Sequence, residues 1–301
     1  MSDLYQIIEP EFQKLVLANS QLERLWTGGR WCEGPAWFPA GKYVIWSDIP
    51  NNRTLRWDET SGSISEFERP AGYQNGHTVD NDGRLISCEH QGRCISRIEH
   101  DGTTTTLART FEGKRFNSPN DVIVKSDNSV WFSDPTYGID TEYEGDAAPS
   151  EIGASNVYRI DPDGSVTCVI KDLVQPNGLA FSPDERELYV VDSGITHDPN
   201  CVPKICSYTV DEGTNSLGTG RVISTTNDGH YDGFRVDAKG RIWTSAGDGI
   251  HCIAPDGTLL GKILIPEVVA NLCFIGPKKN RLFVCATTSI YAIYVNATGL
   301  K

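Results

Sequence analysis

The sequence predicts an all-β protein, a six-bladed β-propeller built from four-stranded antiparallel blades. Three observations predict it: short apolar runs recur along the 301-residue chain, turn dipeptides separate them, and one opening motif is repeated six times. Repeats of roughly 40–50 residues with four strands each are typical of propeller blades. A pair of independent β-sandwiches would also contain many short strands, but it would not repeat one motif six times.

The apolar runs have the composition of buried strands, since they are rich in β-branched and aromatic residues. The clearest runs are residues 44–46, 85–86, 130–132, 188–191, 242–243 and 282–284. Between them lie dipeptides whose Gly or Asp tolerates a positive φ. These are Asp82-Gly83, Asp101-Gly102, Asp163-Gly164, Lys239-Gly240 and Asp256-Gly257. The alternation of strand and tight turn predicts antiparallel hairpins throughout the chain.

Each repeat opens with a motif that leads into an apolar strand. The first residues of the six motifs are Glu33, Asn75, Asn120, Asn177, Asp232 and, more weakly, Ala270. Their spacings of 42, 45, 57, 55 and 38 residues favour one blade per repeat. In a propeller the innermost strands line the central channel, and equivalent positions lie at equivalent heights. Five oxygen-bearing side chains are therefore expected to converge at one mouth of the channel.

The whole chain, residues 1–301, is predicted to form a single propeller domain, with residues 1–20 as an N-terminal extension. Residues 9–18 carry the one helix-like spacing of apolar residues and favour a short helix there. A propeller must close its ring, and residues 22–26 precede the first blade. We expect them to complete the sixth blade beside Ser289–Tyr294.

The composition excludes several classes of protein. The 40 acidic and 27 basic residues give a formal charge of −13, whereas binding to nucleic acid or to an anionic membrane needs a basic face. No apolar stretch approaches the ~18 residues of a transmembrane helix, and the N-terminus has no signal-peptide pattern. The nine cysteines are irregularly spaced, which is typical of buried free thiols in a reducing compartment. We expect a cytoplasmic protein, and the sequence indicates no oligomeric state.

The expected ring of polar residues has the chemistry of a hard-metal site. It contains two carboxylates, Glu33 and Asp232, and three amides, Asn75, Asn120 and Asn177. Buried carboxylates that face one another are unfavourable unless a cation or a proton compensates them. Oxygen ligands favour one divalent ion, Ca²⁺ first, with Mg²⁺, Mn²⁺, Zn²⁺ or Fe²⁺ as alternatives. Each residue alone is also explained as a turn or strand-entry residue, but turn chemistry does not require Glu33 in this register.

Four separated segments carry the pattern of a known family. They are Glu33-Gly34-Pro35, Ser118-Pro119-Asn120-Asp121, residues 176–184 beginning Pro176-Asn177-Gly178, and residues 232–237 beginning Asp232-Gly233-Phe234. The chain resembles the senescence marker protein, gluconolactonase and luciferin-regenerating-enzyme family over roughly residues 25–295, and its overall pattern is similar to bacterial gluconolactonases. The resemblance implies a six-bladed propeller with one divalent metal in the channel mouth.

The resemblance also implies site residues and an activity. Its metal ligands would be Glu33, Asn120, Asn177 and Asp232, the same four positions that the repeats place in the ring. The implied activity is hydrolysis of small-molecule sugar lactones, gluconolactone first, with Asp232 as the base. Because a metal-bound carboxylate is a weak base, activation of water by the metal stays open as an alternative. An organophosphate hydrolase of a related calcium propeller type and a non-enzymatic binding propeller are the alternative functions.

Four polar residues are candidates for substrate contact. Asn75 belongs to the ring, and His77 is expected on the same strand face because residues i and i+2 project together. Asp121 is a candidate to orient other groups or to act as an alternative base. Arg115 is a weaker candidate, since some family members carry an arginine where this chain has Ser118.

Two long insertions are expected near the channel mouth. Residues 137–155 form an acidic, turn-rich stretch in the third repeat, and residues 194–203 lengthen the fourth. A long loop above a channel mouth is a candidate lid, and a plain solvated loop is the alternative. His230 and Tyr231, which precede Asp232, are candidates to flank the site.

Overall fold

The computed structural model of the protein, which describes residues 4–300, is a six-bladed β-propeller. Each blade is an antiparallel sheet whose four main strands run from the central channel to the outer edge. Along the described chain, helical structure consists of one short α-helix, Tyr137–Asp140, and three 3-10 turns, Phe12–Lys14, Ile49–Asn51 and Gly194–Thr196. The predicted fold class is therefore confirmed. Residues 1–3 and 301 of the predicted domain lie outside the described residues.

The first three blades use strands that are consecutive in sequence. Blade one contains Cys32–Phe38, Tyr43–Asp48, Arg53–Asp58 and Ile64–Glu68. Blade two contains Gln74–Val79, Leu85–Glu89, Cys94–Ile98 and Thr104–Ala108. A small hairpin, Thr110–Phe111 with Lys114–Arg115, leads to blade three, which contains Val122–Val124, Val130–Asp134, Asn156–Ile160 and Val166–Ile170.

Blade four is also consecutive in sequence, whereas blades five and six each include a strand from the N-terminal segment. Blade four contains Pro176–Phe181, Glu187–Asp192, Lys204–Thr209 and Arg221–Thr225. Blade five contains Phe234–Val236, Ile242–Ala246, Gly249–Ile253 and Leu259–Leu264, with Tyr5–Ile7 as a fifth strand. Blade six contains Val269–Ile275, Arg281–Ala286 and Ser289–Tyr294, with Glu23–Thr27 as its outermost strand.

The ring is closed by strand exchange between the two ends of the chain. Glu23–Thr27 pairs antiparallel with Ser289–Tyr294, so that Glu23 lies opposite Ala292 and Thr27 opposite Ser289. This is the closure predicted for residues 22–26. Main-chain hydrogen bonds thereby join the start of the ring to its last blade, which satisfies an edge that would otherwise be open.

The N-terminal extension is fixed to the outside of blade five. Tyr5–Ile7 pairs with Leu259–Leu264, and the aromatic ring of Phe12 is fully buried against Trp243, with ring centroids 6.3 Å apart. The helix expected over residues 9–18 is a single 3-10 turn, Phe12–Lys14. The buried ring of Phe12 and the strand pairing of Tyr5–Ile7 hold this segment against blade five.

The innermost strands approach one another closely because glycine follows the first position of several repeats. A Cβ at Gly34 would lie 2.1 Å from the carbonyl oxygen of Asn75, and a Cβ at Gly76 would lie 2.4 Å from that of Asn120. The amide of Gly76 donates to the same Asn120 oxygen over 2.8 Å. Glycine is required here for contact between blades, and the contact brings the first residues of neighbouring repeats together.

The hydrophobic core lies mostly between blades. Trp46 of blade one packs against Phe283 of blade six with ring centroids 5.6 Å apart, and Trp131 of blade three packs edge-on against Phe181 of blade four at 5.3 Å. All nine cysteines are unpaired, and seven of them are buried, as the sequence predicted. Within residues 4–300, no helix has the length and apolar character needed to cross a membrane.

Candidate active site

A cavity of about 190 Å³ lies at the channel mouth where the inner strands begin. Its lining residues are Trp31, Glu33, Asn75, Asn120, Tyr137, Glu144, Asn177, Thr196, His230 and Asp232. Five of them are the polar first positions predicted from the repeats, and each of these five is at most 8% exposed. The structure thus brings together the side chains that the repeat register predicted to converge.

Glu33 accepts two hydrogen bonds on one carboxylate oxygen. The amide of Gly34 donates to Glu33 Oε2 over 2.7 Å, and the side-chain amide of Asn271 donates to the same oxygen over 3.0 Å. Burial is the main cause that raises the pKa of Glu33 to about 8, and the charges of Asp121 and Glu144 act in the same direction. The two hydrogen bonds lower this pKa but do not offset the rise. The Glu33 carboxylate is therefore held in place, but no cationic side chain within residues 4–300 compensates it.

Asp232 lies in the same electrostatic environment. Its backbone amide donates to Ser245 Oγ over 3.0 Å, which fixes the start of the blade-five inner strand. Burial raises the pKa of its carboxyl well above the ordinary value, and the charges of Glu33 and Glu144 add to the effect. A hydrogen bond from the Asn177 side chain opposes that rise only in part. The cavity therefore has a strong negative potential when its carboxyls are ionised.

The amide residues of the ring present oxygens with few competing partners. Asn120 makes main-chain hydrogen bonds, but its side chain bonds to no other described residue. Asn177 Nδ2 donates to Ser193 Oγ over 3.3 Å. The Oδ1 atom of Asn75 is buried and has no hydrogen-bond partner within residues 4–300. Such atoms are unfavourable unless a ligand or water satisfies them.

The residues fit a hard divalent cation. Two carboxylates and two amides, Glu33, Asp232, Asn120 and Asn177, come from four different blades and line one cavity. All four offer oxygen, and neither a thiol nor an imidazole belongs to this set, which favours Ca²⁺ over thiolate-seeking metals. The raised pKa values of Glu33 and Asp232 have the same main cause, the burial of their carboxyls, and the charges of neighbouring carboxylates add to it.

The four residues predicted to contact substrate lie in different places. Asn75 lines the cavity. His77 does not, because a β-bulge between Gln74 and His77 interrupts the strand alternation that placed it on the same face as Asn75. Its imidazole is fully buried, with Nε2 2.8 Å from Ser47 Oγ and Nδ1 2.8 Å from Ser87 Oγ. Both ring nitrogens are thus engaged in hydrogen bonds with serines of blades one and two.

Asp121 and Arg115 also lie outside the cavity lining. Asp121 is buried below Asn120, where its Oδ2 lies 3.4 Å from Arg235 Nη1 and its Oδ1 accepts from the amide of Val122 over 2.9 Å. Arg115 belongs to the small hairpin after blade two, and its amide donates to Glu151 over 2.9 Å. Its guanidinium donates to the Gly92 carbonyl over 3.4 Å.

The two predicted insertions contribute to the cavity. Tyr137 and Glu144 come from residues 137–155, and Thr196 comes from residues 194–203. The hydroxyl of Tyr137 lies 2.9 Å from Thr196 Oγ1, which connects the two loops above the channel. The sequence indicated these loops only through their length, so the individual residues Tyr137, Thr196 and Glu144 were not predicted.

Trp31 and Asn271 were also missed, whereas His230 lines the cavity as expected. Asn271 follows the weak first position Ala270, and a β-bulge between Val269 and Asn271 shifts the register there. The side chain that reaches the ring from blade six is therefore Asn271, one residue later than the repeat predicted.

A second acidic cluster lies in blade five, where Asp228, Asp248 and His251 approach one another within 4.8 Å. Lys262 Nζ contacts Asp228 at 2.6 Å and Asp248 at 2.8 Å. This ammonium already compensates the two carboxylates, so the cluster differs from the channel mouth, where no described residue gives the cavity-lining carboxylates such a partner.

The chain belongs to the SMP-30/gluconolactonase/LRE-like family, since the sequence pattern of that region matches residues 31–288. The gluconolactonase of Zymomonas mobilis is 30% identical, over 96% of this chain and 85% of that protein. The pentonolactonase XacC of Haloferax volcanii is 29% identical, over 86% of this chain and 82% of that protein. The resemblance seen in the motifs is thereby confirmed.

Solved structures agree with this assignment. A gluconolactonase from Xanthomonas campestris superposes with a TM-score of 0.90 at 35% identity, covering 97% of this chain and 95% of that one. An X-ray structure of a candidate gluconolactonase superposes with a TM-score of 0.92 at 41% identity, covering 99% of both chains. The predicted enzyme class is confirmed: the named relatives are lactone hydrolases, and the chain belongs with them.

Proposed function

We propose that the protein is a metal-dependent lactonase that opens sugar lactones, such as gluconolactone, to the free aldonic acid. The observation that carries the proposal is the convergence of Glu33, Asn120, Asn177 and Asp232 on one buried cavity. Relatives named for gluconolactone and pentonolactone hydrolysis support the substrate class. The cavity of about 190 Å³ is below the roughly 300–1,000 Å³ of pockets for drug-sized ligands, which suits a monosaccharide.

In this proposal, Glu33, Asn120, Asn177 and Asp232 hold one divalent cation, with Ca²⁺ expected first. When bound there, such a cation polarises an ester carbonyl and stabilises the negative charge that develops on its oxygen. Asn271 and Gly34 orient the Glu33 carboxylate through their two hydrogen bonds. Asn177 donates to the Asp232 carboxyl, so the ring residues also orient one another.

Asp232 is the proposed base. It accepts one proton from the water that adds to the lactone carbonyl and returns it to the ring oxygen when the ring C–O bond breaks. The product therefore gains one carboxyl group and one hydroxyl group, which together account for the added water. Burial and neighbouring carboxylates raise the pKa of Asp232, whereas a bound cation lowers it, and the two effects oppose each other.

The loops above the mouth are proposed to limit the access of water and to contact the sugar hydroxyls. Tyr137 and Thr196 join the two loops through a hydrogen bond of 2.9 Å, and Trp31 and His230 complete the wall. The absence of disulfides among the nine cysteines supports a cytoplasmic location for this activity.

The proposal is tested by measuring hydrolysis of glucono-1,5-lactone by the purified protein after treatment with EDTA and after addition of calcium, magnesium or manganese. We expect activity to be lost with EDTA and restored by a divalent ion. Activity that is indifferent to chelation would contradict the metal site. A parallel assay with an organofluorophosphate tests the phosphotriesterase alternative, which predicts faster turnover of that substrate than of the lactone.

A further inference from the structure

His90 connects the channel mouth to the loop above it. Its imidazole is buried, with Nδ1 2.8 Å from the backbone oxygen of Glu144 and Nε2 3.4 Å from Nδ2 of Asn75. A Cβ at Gly138 would lie 2.4 Å from this ring, so the loop packs closely on it. His90 directly follows Leu85–Glu89, the second strand of blade two, and is therefore carried by a rigid part of the propeller.

The chemistry of these partners fixes the protons on the ring. A carbonyl oxygen can only accept, so His90 Nδ1 carries a proton and donates it to Glu144. Burial lowers the pKa of His90 to about 4, so the imidazole is neutral near pH 7 and its Nε2 is an acceptor. Asn75 must then donate through Nδ2. This orientation of the amide accounts for Asn75 Oδ1, which is buried without a partner among the described residues.

Glu144 offers a second acceptor at the same mouth. Its side chain lines the cavity, and its carboxylate receives no hydrogen bond from any residue between 4 and 300. The backbone of Glu144 is held by His90, which also holds the amide of Asn75. One imidazole therefore sets the positions of two unsatisfied acceptors, and a molecule that satisfies both must bring hydrogen-bond donors.

We propose that His90 is a positioning residue that presents Asn75 Oδ1 and the Glu144 carboxylate as paired acceptors for hydroxyl groups of the substrate. The inference rests on the proposed lactonase function and deepens it, because such a pair selects polyhydroxylated lactones over unsubstituted ones. Burial, with the charge of Asp140, raises the pKa of Glu144 to about 7. Hydrogen bonds to a charged acceptor are stronger than neutral ones, so Glu144 supplies the larger share of the selectivity above that pH.

The test compares kcat and KM for glucono-1,5-lactone with those for δ-valerolactone, which has the same ring size and no hydroxyl groups, at saturating calcium. For Glu144→Gln we expect kcat/KM for the sugar lactone to fall at least tenfold, mainly through KM. The kcat/KM of this variant for δ-valerolactone should stay within about twofold of that of the unaltered protein. Glu142→Gln changes an exposed residue on the same loop and is the matched control, and it should leave kcat/KM unchanged for both lactones.

Two substitutions separate the contacts of His90. In His90→Asn, the side-chain nitrogen lies where Nδ1 lay, so the variant keeps the hydrogen bond to the Glu144 backbone oxygen but loses the acceptor for Asn75. In His90→Gln, the side-chain oxygen lies near the former position of Nε2, so the variant keeps the acceptor for Asn75. We expect His90→Asn to reduce the preference for the sugar lactone about tenfold and His90→Gln to restore part of it.

An equal loss on both lactones in Glu144→Gln and His90→Asn would overturn the inference, because it would show a general structural role. Thermal melts identify any His90 variant that fails to fold, and in that case Glu144→Gln alone decides the outcome. Inactivity of the unaltered protein toward both lactones would overturn the proposed function itself, and the inference with it.

Discussion

Asn271 of blade six donates its side-chain amide to Glu33 Oε2 of blade one over 3.0 Å, across 238 positions of sequence. The same two blades are joined at their outer edge, where Glu23–Thr27 pairs with Ser289–Tyr294. The ring is therefore closed twice, once by strand pairing at the rim and once by a buried hydrogen bond at the channel. Because Glu33 is a proposed ligand, closure of the ring and formation of the site depend on each other.

Replacement of Asn271 by Ala tests this dependence. The change removes a hydrogen bond to a buried carboxylate and leaves the amide of Leu272 without its acceptor. We expect the free energy of unfolding to fall by about 1–3 kcal/mol and calcium to bind more weakly. Urea unfolding and calorimetric titration with calcium measure the two effects. Asn200→Ala, in an exposed loop, is the control, and a similar small effect for both variants would contradict the role of Asn271.

The repeat made most of the fold and part of the site predictable. Tight turns and apolar runs recur with a blade-sized period, and the first positions therefore could be aligned without any structure. Their convergence follows from the geometry of a closed ring, in which equivalent positions lie at one height. Glu33, Asn120, Asn177 and Asp232 reach the cavity for this reason.

The remaining site residues depend on local irregularities that a repeat does not encode. A bulge between Gln74 and His77 keeps the imidazole of His77 out of the cavity, where it contacts two buried serines. Another bulge moves the blade-six contact from Ala270 to Asn271. Glu144 lies on the insertion of residues 137–155, whose conformation the repeat does not determine. Its position depends on the contact with His90, 54 residues earlier in the chain.

Removal of the cation should make stability depend on pH. Burial raises the pKa of Glu33 from 4.5 to about 8 and that of Asp232 in the same direction. The folded state then keeps protons that the unfolded chain releases. The free energy of unfolding therefore falls as the pH rises through the ordinary values, 3.8 for Asp232 and 4.5 for Glu33, to about 8. Well below 3.8 both states are protonated and this contribution is constant. Urea unfolding in EDTA between about pH 5 and pH 8 measures the slope.

Calcium should flatten this dependence, because the cation replaces the protons as the compensating charge. Glu33→Gln should reduce the slope in EDTA without abolishing it. Asp134, a buried carboxyl outside the cavity lining, also has a pKa raised to about 8 by burial and contributes in the same direction. A slope in EDTA that neither calcium nor Glu33→Gln changes would contradict the assignment of the site.

Close approach of the inner strands predicts a strong effect at Gly76. A methyl group there would meet the Asn120 carbonyl oxygen at 2.4 Å and displace a proposed ligand. We expect Gly76→Ala to lower the free energy of unfolding by at least 1–3 kcal/mol, as overpacking of a core does, with a loss of activity. Gly213→Ala, where the nearest atom is 3.5 Å away, should change stability by less than about 1 kcal/mol. Chemical denaturation of both variants separates a packing effect from a general intolerance of alanine.

Asp232→Asn tests the base, because asparagine keeps an oxygen ligand but cannot accept the proton of water. General base catalysis contributes about 10²–10⁴ in rate, so we expect kcat for glucono-1,5-lactone to fall by that factor while calcium still binds. Calorimetric titration with calcium and lactone hydrolysis, measured on the same preparation, separate loss of the base from loss of the cation. If Asp232→Asn binds calcium and retains its turnover, the water is activated without Asp232, and Asp232 acts only as a ligand. Asn120→Ala is the complementary variant, since it removes a proposed ligand and leaves the base, and added calcium should restore part of its activity.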